Sequence, residues 1–143
     1  MKRAWLLLAL LTAPARAPAW APVWAPVWAN EAWEATVLGP YDGPVMNAGR
    51  REHLATRFEF DSAGHLIGHY HVDDVPPFDG ELTDFRPDGD AEGDFTWRDP
   101  YGQGVVHIRF DPEHGRFFGR WGIETPLPQN IFDGFRTRPP AVS

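Results

Sequence analysis

After Asn30, short apolar and aromatic runs alternate with Gly, Pro and Asp turns at intervals of about a dozen residues. Helical periodicity is weak, and residues two apart on a strand share a face. The runs predict strands at Trp33–Gly39, Leu54–Phe60, Leu66–Val72, Gly80–Phe85, Gly93–Arg98, Gly104–Phe110, Phe117–Gly122 and Asn130–Phe135. Three turns set the pairing between them. Asp61-Ser62-Ala63-Gly64-His65 reads as a three-residue hairpin loop with Gly64 left-handed, which pairs Phe60 with Leu66, Phe58 with Gly68 and Thr56 with Tyr70. Asp99-Pro100-Tyr101-Gly102 has the proline and glycine positions of a type I turn and pairs Trp97 with Gly104 and Phe95 with Val106. Pro112-Glu113-His114-Gly115 pairs Phe110 with Phe117, Ile108 with Gly119 and Val106 with Trp121.

These registers agree with one another. One face collects Leu54, Phe58, Phe60, Leu66, Tyr70, Val72, Phe95, Trp97, Val106, Ile108, Phe110, Phe117 and Trp121, with Gly68, Gly93, Gly104 and Gly119 among them. A slip of one residue in any hairpin would scatter this set over both faces. The opposite face carries Arg57, Glu59, His69, His71, Asp94, Thr96, His107, Arg109 and Arg120, with Phe118 as its exception. The expected fold is all-β: one antiparallel up-and-down meander of seven or eight strands closing into a small barrel.

A Gly-x-aromatic pattern recurs at Gly39–Tyr41, Gly68–Tyr70, Gly93–Phe95, Gly115–Phe117 and Gly119–Trp121. Each glycine opens space on the face where the next ring stands, which suits a strongly curved sheet. In strand number, chain length and the Gly39–Tyr41 and Gly68–Tyr70 strands, the chain resembles the avidin and streptavidin group of calycin barrels. The resemblance implies a closed barrel. It does not imply biotin binding, because the polar residues that grip biotin in that family have no match here. The run from Trp97-Arg98-Asp99 through Phe118-Gly119-Arg120-Trp121-Gly122 also resembles Gly-x-Trp repeats in exported bacterial proteins of unassigned function, which implies export and a barrel.

Lys2 and Arg3 precede a short apolar run, Ala4 to Leu11, followed by small residues and prolines, the layout of a secretory signal peptide. A tandem Ala-Pro-x-Trp repeat follows, at Ala17–Trp20, Ala21–Trp24 and Ala25–Trp28. Each copy regenerates a small-x-Ala cleavage site, but only Ala29 is followed by a residue other than proline that permits cutting, Asn30. The expected organisation is a signal peptide at 1–29, a barrel domain at 30–136 and a tail at 137–143. A cut after Ala15 or Ala19 is the alternative, and a start at Trp20 would favour an extended aromatic docking segment. The protein is expected to be secreted or periplasmic.

Removing 29 of the 143 residues leaves 114, the size of one domain. The removed segment holds Lys2, Arg3 and Arg16 and no acid, so the formal charge moves from −7 to −10. An acidic domain is a poor partner for nucleic acid or anionic membranes, and no stretch reaches the ~20 apolar residues of a spanning helix. Lys2 is the only lysine and there is no cysteine, which excludes Schiff-base, P-loop-lysine and thiolate chemistry from the mature chain. Ser62 sits in a turn and Ser143 at the terminus, so a serine hydrolase is disfavoured.

His69-x-His71 projects two imidazoles from one face of one strand, ~7 Å apart at the backbone. They could share zinc with His53, Asp73 or Asp74, but Arg57 opposite His69 opposes a cation, and the adopted reading is two solvated histidines. His107 opposite Asp94 reads as an exposed cross-strand ion pair. Asp88-Gly89-Asp90 lacks the remainder of a calcium loop and reads as turn chemistry. Tyr70, Phe95, Trp97 and Trp121 form the candidate pocket, against the alternative of a completely filled core. No cofactor is expected. The first reading is a non-enzymatic exported barrel that binds a small apolar ligand or a partner such as an envelope protein. A structural envelope domain with a filled core comes second, and a histidine–carboxylate or metal-assisted enzyme third.

Overall fold

The computed structural model describes residues 33–123 and 129–137, which belong to the second of the chain's two units, Glu31–Ser143. The expected signal peptide with its tandem repeat, and residues 138–143 of the expected tail, lie outside the described residues. The described strands are β1 (Gly39–Asn47), β2 (Arg50–Phe60), β3 (Leu66–Val72), β4 (Phe78–Pro87), β5 (Glu92–Asp99), β6 (Gly102–Asp111), β7 (Arg116–Gly122), β8 (Asn130–Ile131) and β9 (Gly134–Arg136). From β1 to β7 each strand pairs antiparallel with the next. β8 pairs with β7, and β9 pairs with both β7 and β1, so residues 130–136 act as one bent closing strand. The result is an antiparallel barrel, which agrees at a coarse level with the calycin expectation.

The three hairpin registers read from the turns are the observed ones. Phe58 lies opposite Gly68 and Thr56 opposite Tyr70; Trp97 lies opposite Gly104; Ile108 lies opposite Gly119 and Val106 opposite Trp121. Gly64 is left-handed at φ 85°, and the Asp61 carboxylate takes the backbone N–H of Ala63 at 2.9 Å and of His65 at 2.8 Å. Those bonds, the one from His65 foremost, hold the Asp61 carboxyl below its ordinary range. On the inner face Leu54, Phe58, Leu66, Phe95, Val106, Ile108 and Phe117 are buried; Phe60, at the end of β2, is exposed. Phe118, on the outer face, lies under the guanidinium groups of Arg109 and Arg116, at 5.8 and 5.0 Å from its ring centre.

Three expectations need correction. Trp33–Gly39 is not a strand: Glu34–Val37 is one 3-10 turn, and the first strand runs from Gly39 to Asn47. Both the backbone N–H and the hydroxyl of Thr36 donate to the Trp33 carbonyl, so the turn satisfies itself locally. The segment Gly39-Pro40-Tyr41-Asp42-Gly43-Pro44 has the composition of a loop yet forms most of β1. Pro40 and Pro44 accept at their carbonyls from Thr137 (3.1 Å) and Asp133 (3.0 Å). On an antiparallel strand the N–H and C=O of a residue point to the same neighbour, so both missing donors face the sparsely paired closing side, and the ladder to β2 is spared.

The second correction is in β4: the expected strand Gly80–Phe85 runs longer, from Phe78 to Pro87, and its register shifts between Thr83 and Arg86, where Asp84 stands at φ 55°. Strict alternation after the buried Leu82 would turn Asp84 inward and Phe85 outward. The bulge reverses this and brings Phe85 to 4.7 Å from Phe95, ring centre to ring centre. Third, the expected strand Asn130–Phe135 is broken into β8 and β9, with Phe132 bridging to Val45.

In an antiparallel meander the loops after β2, β4 and β6 gather at one end of the barrel. The chain enters at that end and plugs it. Val37 is fully buried, and Trp33 packs 5.8 Å from Phe85 and 5.7 Å from Phe110. Arg136 fastens the plug: its guanidinium donates to the carbonyls of Thr36 and Leu38, each at 2.8 Å, and to the Tyr41 hydroxyl at 3.0 Å, and lies 5.1 Å above the Tyr41 ring. Behind the plug, Phe58 touches Tyr41, Phe95, Phe110 and Phe117 in a packed cluster of rings.

Candidate functional site

The opposite end is where β1, β3, β5 and β7 finish, and there the rings stop short of filling the barrel. A cavity of about 250 Å³ opens between them. Tyr70 comes from β3, Trp97 from β5 and Trp121 from β7, each placed inward by the register above; Phe132 of the closing strand, Phe78 of β4, and Val45 and Val72 complete the apolar wall. Trp97 and Trp121 meet edge to face at 5.3 Å, and Tyr70 meets Phe132 the same way at 5.3 Å. Glycines make room for these rings. A methyl at Gly80 would stand 2.1 Å from the Tyr70 ring, so Tyr70 lies over bare β4 backbone.

The wall has few polar groups, and most are engaged. The Trp97 indole N–H donates to the Gly122 carbonyl at 3.1 Å, and that of Trp121 to the Met46 carbonyl at 2.9 Å. The Tyr70 hydroxyl donates to Oδ2 of Asp99 at 2.9 Å, while the Tyr101 backbone N–H donates to Oδ1 at 2.8 Å. Burial, followed by the Asp99 charge and the hydrogen bond to it, holds the Tyr70 phenol far above its ordinary range, so it keeps its proton. Asn47 donates to Asp74 at 2.9 Å. The rim is apolar and exposed at Val75, Tyr101 and Ile123, on three different loops.

Three of the four expected pocket residues, Tyr70, Trp97 and Trp121, therefore line one cavity. Phe95 does not join them. It is fully buried between Phe58 and Phe85 in the packed half of the barrel. Sequence reasoning missed Val45 and Asn47 because no strand is predicted between Gly39 and Leu54, and missed Phe78 and Tyr101 because they flank turns. Asp99 read as a turn acid only. Its position across the barrel mouth from Tyr70 follows from the β3–β4–β5 registers, which local spacing does not convey.

His69 and His71 project outward along one shallow depression and share no carboxylate partner. His69 pairs with Glu59 at 2.9 Å, whereas His71 bridges Asp79 at 2.8 Å and Asp73 at 3.2 Å. His53 bridges Asp73 at 2.8 Å and Asp42 at 3.0 Å. No cluster of metal-ligating side chains suited to an ion occurs among the described residues. The remaining histidines follow the same rule: His107 bridges Asp94 (2.6 Å) and Glu92 (2.7 Å), His65 faces Asp61, and His114 faces Asp111. All 6 histidines thus sit against carboxylates, and none lines the cavity. The hydrogen bond to Asp79 raises the His71 value; for His107, burial acts downward, but the bonds to Asp94 and Glu92 outweigh it and the value is raised.

Among the described residues, no helix is long and apolar enough to cross a membrane. No family model, curated protein or solved structure matches the chain.

Proposed function

We propose that this protein is an exported, non-enzymatic barrel that binds a small apolar ligand in its open end. The observation that carries the reading is the contrast between the two ends: one is plugged by Trp33 and Val37, and the other keeps a cavity of about 250 Å³ walled by aromatic rings. A concave, mostly apolar site with a few placed polar groups is the common form of a small-molecule site. The histidine–carboxylate pairs, the groups best suited to acid–base chemistry, lie on the outer face, which favours binding over catalysis. Export rests on the charged, apolar and small-residue order of residues 1–29.

Titration with the neutral fluorophore N-phenyl-1-naphthylamine tests the binding. Its emission should rise as Trp97 and Trp121 emission is quenched, and the melting temperature should climb with its concentration. Unchanged emission together with an unchanged melting temperature would sink the reading. N-terminal sequencing of the protein recovered outside the cytoplasm should begin at Asn30, and recovery only from the cytoplasm would remove export. A second reading, docking of a protein partner on this end, draws on the exposed Val75, Tyr101 and Ile123.

A further inference from the structure

The cavity wall is unbalanced in its hydrogen-bonding capacity. Most of its donors are already committed: both indole N–H groups to backbone carbonyls, the Tyr70 hydroxyl to Asp99, and one amide N–H of Asn47 to Asp74; the hydroxyl of the exposed rim residue Tyr101 and the second Asn47 N–H are left. What remains facing the space is chiefly acceptor capacity and π surface. Each oxygen of the Asp99 carboxylate accepts a single hydrogen bond, although a carboxylate has about four lone-pair sites. The Tyr70 oxygen and the Asn47 carbonyl oxygen add two neutral acceptors. Trp97, Trp121, Tyr70, Phe78, Tyr101 and Phe132 supply ring faces or edges around them. Among the described residues no lysine, arginine or histidine lines the cavity, although on its outer side Asp99 borders a shallow depression with His69 and Arg98. The nearest basic group on the same strand, Arg98, is exposed and donates to Gln103.

We infer that the ligand class is an apolar organic cation, an amine or quaternary ammonium with a hydrocarbon body. This rests on the reading of the cavity as a ligand site and specifies it. A neutral hydrocarbon would gain from the rings alone. An ammonium gains from the rings, which attract cations through their quadrupoles, and from the Asp99 carboxylate at the same mouth. The formal charge of −7 adds a long-range bias toward cations. An anionic amphiphile would place its head beside the Asp99 carboxylate, with no cation among the described lining residues to receive it.

The test compares benzyltrimethylammonium with neopentylbenzene, its uncharged carbon isostere, by Trp emission and melting temperature. The cation should bind at least about tenfold more tightly. Asp99→Asn should erase most of that preference and leave the affinity for neopentylbenzene within about twofold. Should Asp99→Asn fail to fold, salt decides in the native protein: raising it from about 50 to about 500 mM should weaken the cation and spare the isostere. Equal or tighter binding of neopentylbenzene would overturn the cation assignment and leave the apolar site standing. Binding of neither compound would remove the ligand site and this inference together. A cation preference that survives both Asp99→Asn and high salt would also overturn the role given to Asp99.

Discussion

Gly104→Ala tests whether bare backbone at the glycines is what lets the rings stand inside this barrel. The added methyl would lie 2.2 Å from the Gly122 carbonyl oxygen and 2.8 Å from Nε1 of Trp97. Ordinary contact begins near 3.4 Å, so the carbonyl must retreat by about 1 Å. That carbonyl accepts the Trp97 indole N–H at 3.1 Å, and the retreat breaks the bond. Overpacking of this kind costs about 1–3 kcal/mol and a lost hydrogen bond about 0.5–1.5 kcal/mol. The expected loss is therefore about 2–4 kcal/mol, a large part of the ~5–15 kcal/mol that holds a typical domain. Urea denaturation followed by Trp emission reads it directly. In a Trp97→Phe background the indole bond is already gone, so the same substitution should cost about 1 kcal/mol less. A loss under about 0.5 kcal/mol in both backgrounds would refute the argument.

Two other perturbations probe the plug and the outer face. Arg136→Ala removes three charge-assisted bonds to the entry turn and Tyr41, and should lower stability by about 2 kcal/mol in urea, with altered near-ultraviolet dichroism from Trp33; Arg136→Lys should recover only part, since one ammonium cannot reach all three acceptors. The raised His71 and His107 values contribute stability that is complete below the ordinary histidine value of 6.5 and lost as pH rises through the raised folded values. The lowered Asp61, Asp73 and Asp111 values contribute stability above 3.8 that is lost as pH falls through the lower folded values. The urea midpoint should therefore rise from about pH 8 to about pH 6 and fall again in acid, and His107→Gln should flatten the rise between 8 and 6; a midpoint that climbs steadily to pH 8 would contradict the pairing.

The parts of this fold that were legible in the sequence are those fixed by short turns. Gly64, Gly102 and Gly115 mark hairpins in which one turn decides many pairs, and the faces follow by parity. The illegible parts depend on distant neighbours. The prolines of β1 are tolerable only because the closing strand lies on their side, and that strand is remote in the chain. The Asp84 bulge is visible only once Phe85 is known to be needed beside Phe95. The site divided along the same line. Parity placed Tyr70, Trp97 and Trp121 inward, but it could not say that Phe95 lies in the filled half or that Asp99 stops at the mouth. On the outer face parity set His107 against Asp94, while the bridges made by His53 and His71 required the third partner that only the folded barrel brings.

The closing strand also bears on how the chain reaches this state. Arg136 and Tyr41 are 95 positions apart, so the flank of β1 that meets β9 waits for its partner until almost all of the barrel has been made. An open strand flank is a template for any passing chain. On β1 that flank lacks the N–H groups of Pro40 and Pro44, and a methyl at Gly43 would stand only 2.2 Å from the Asp133 carbonyl oxygen. The two prolines leave a stray strand with a broken ladder, while the native segment docks through two of their carbonyls. The residues that disguise β1 as a loop thus guard the newly made chain against self-association during the interval before the barrel shuts.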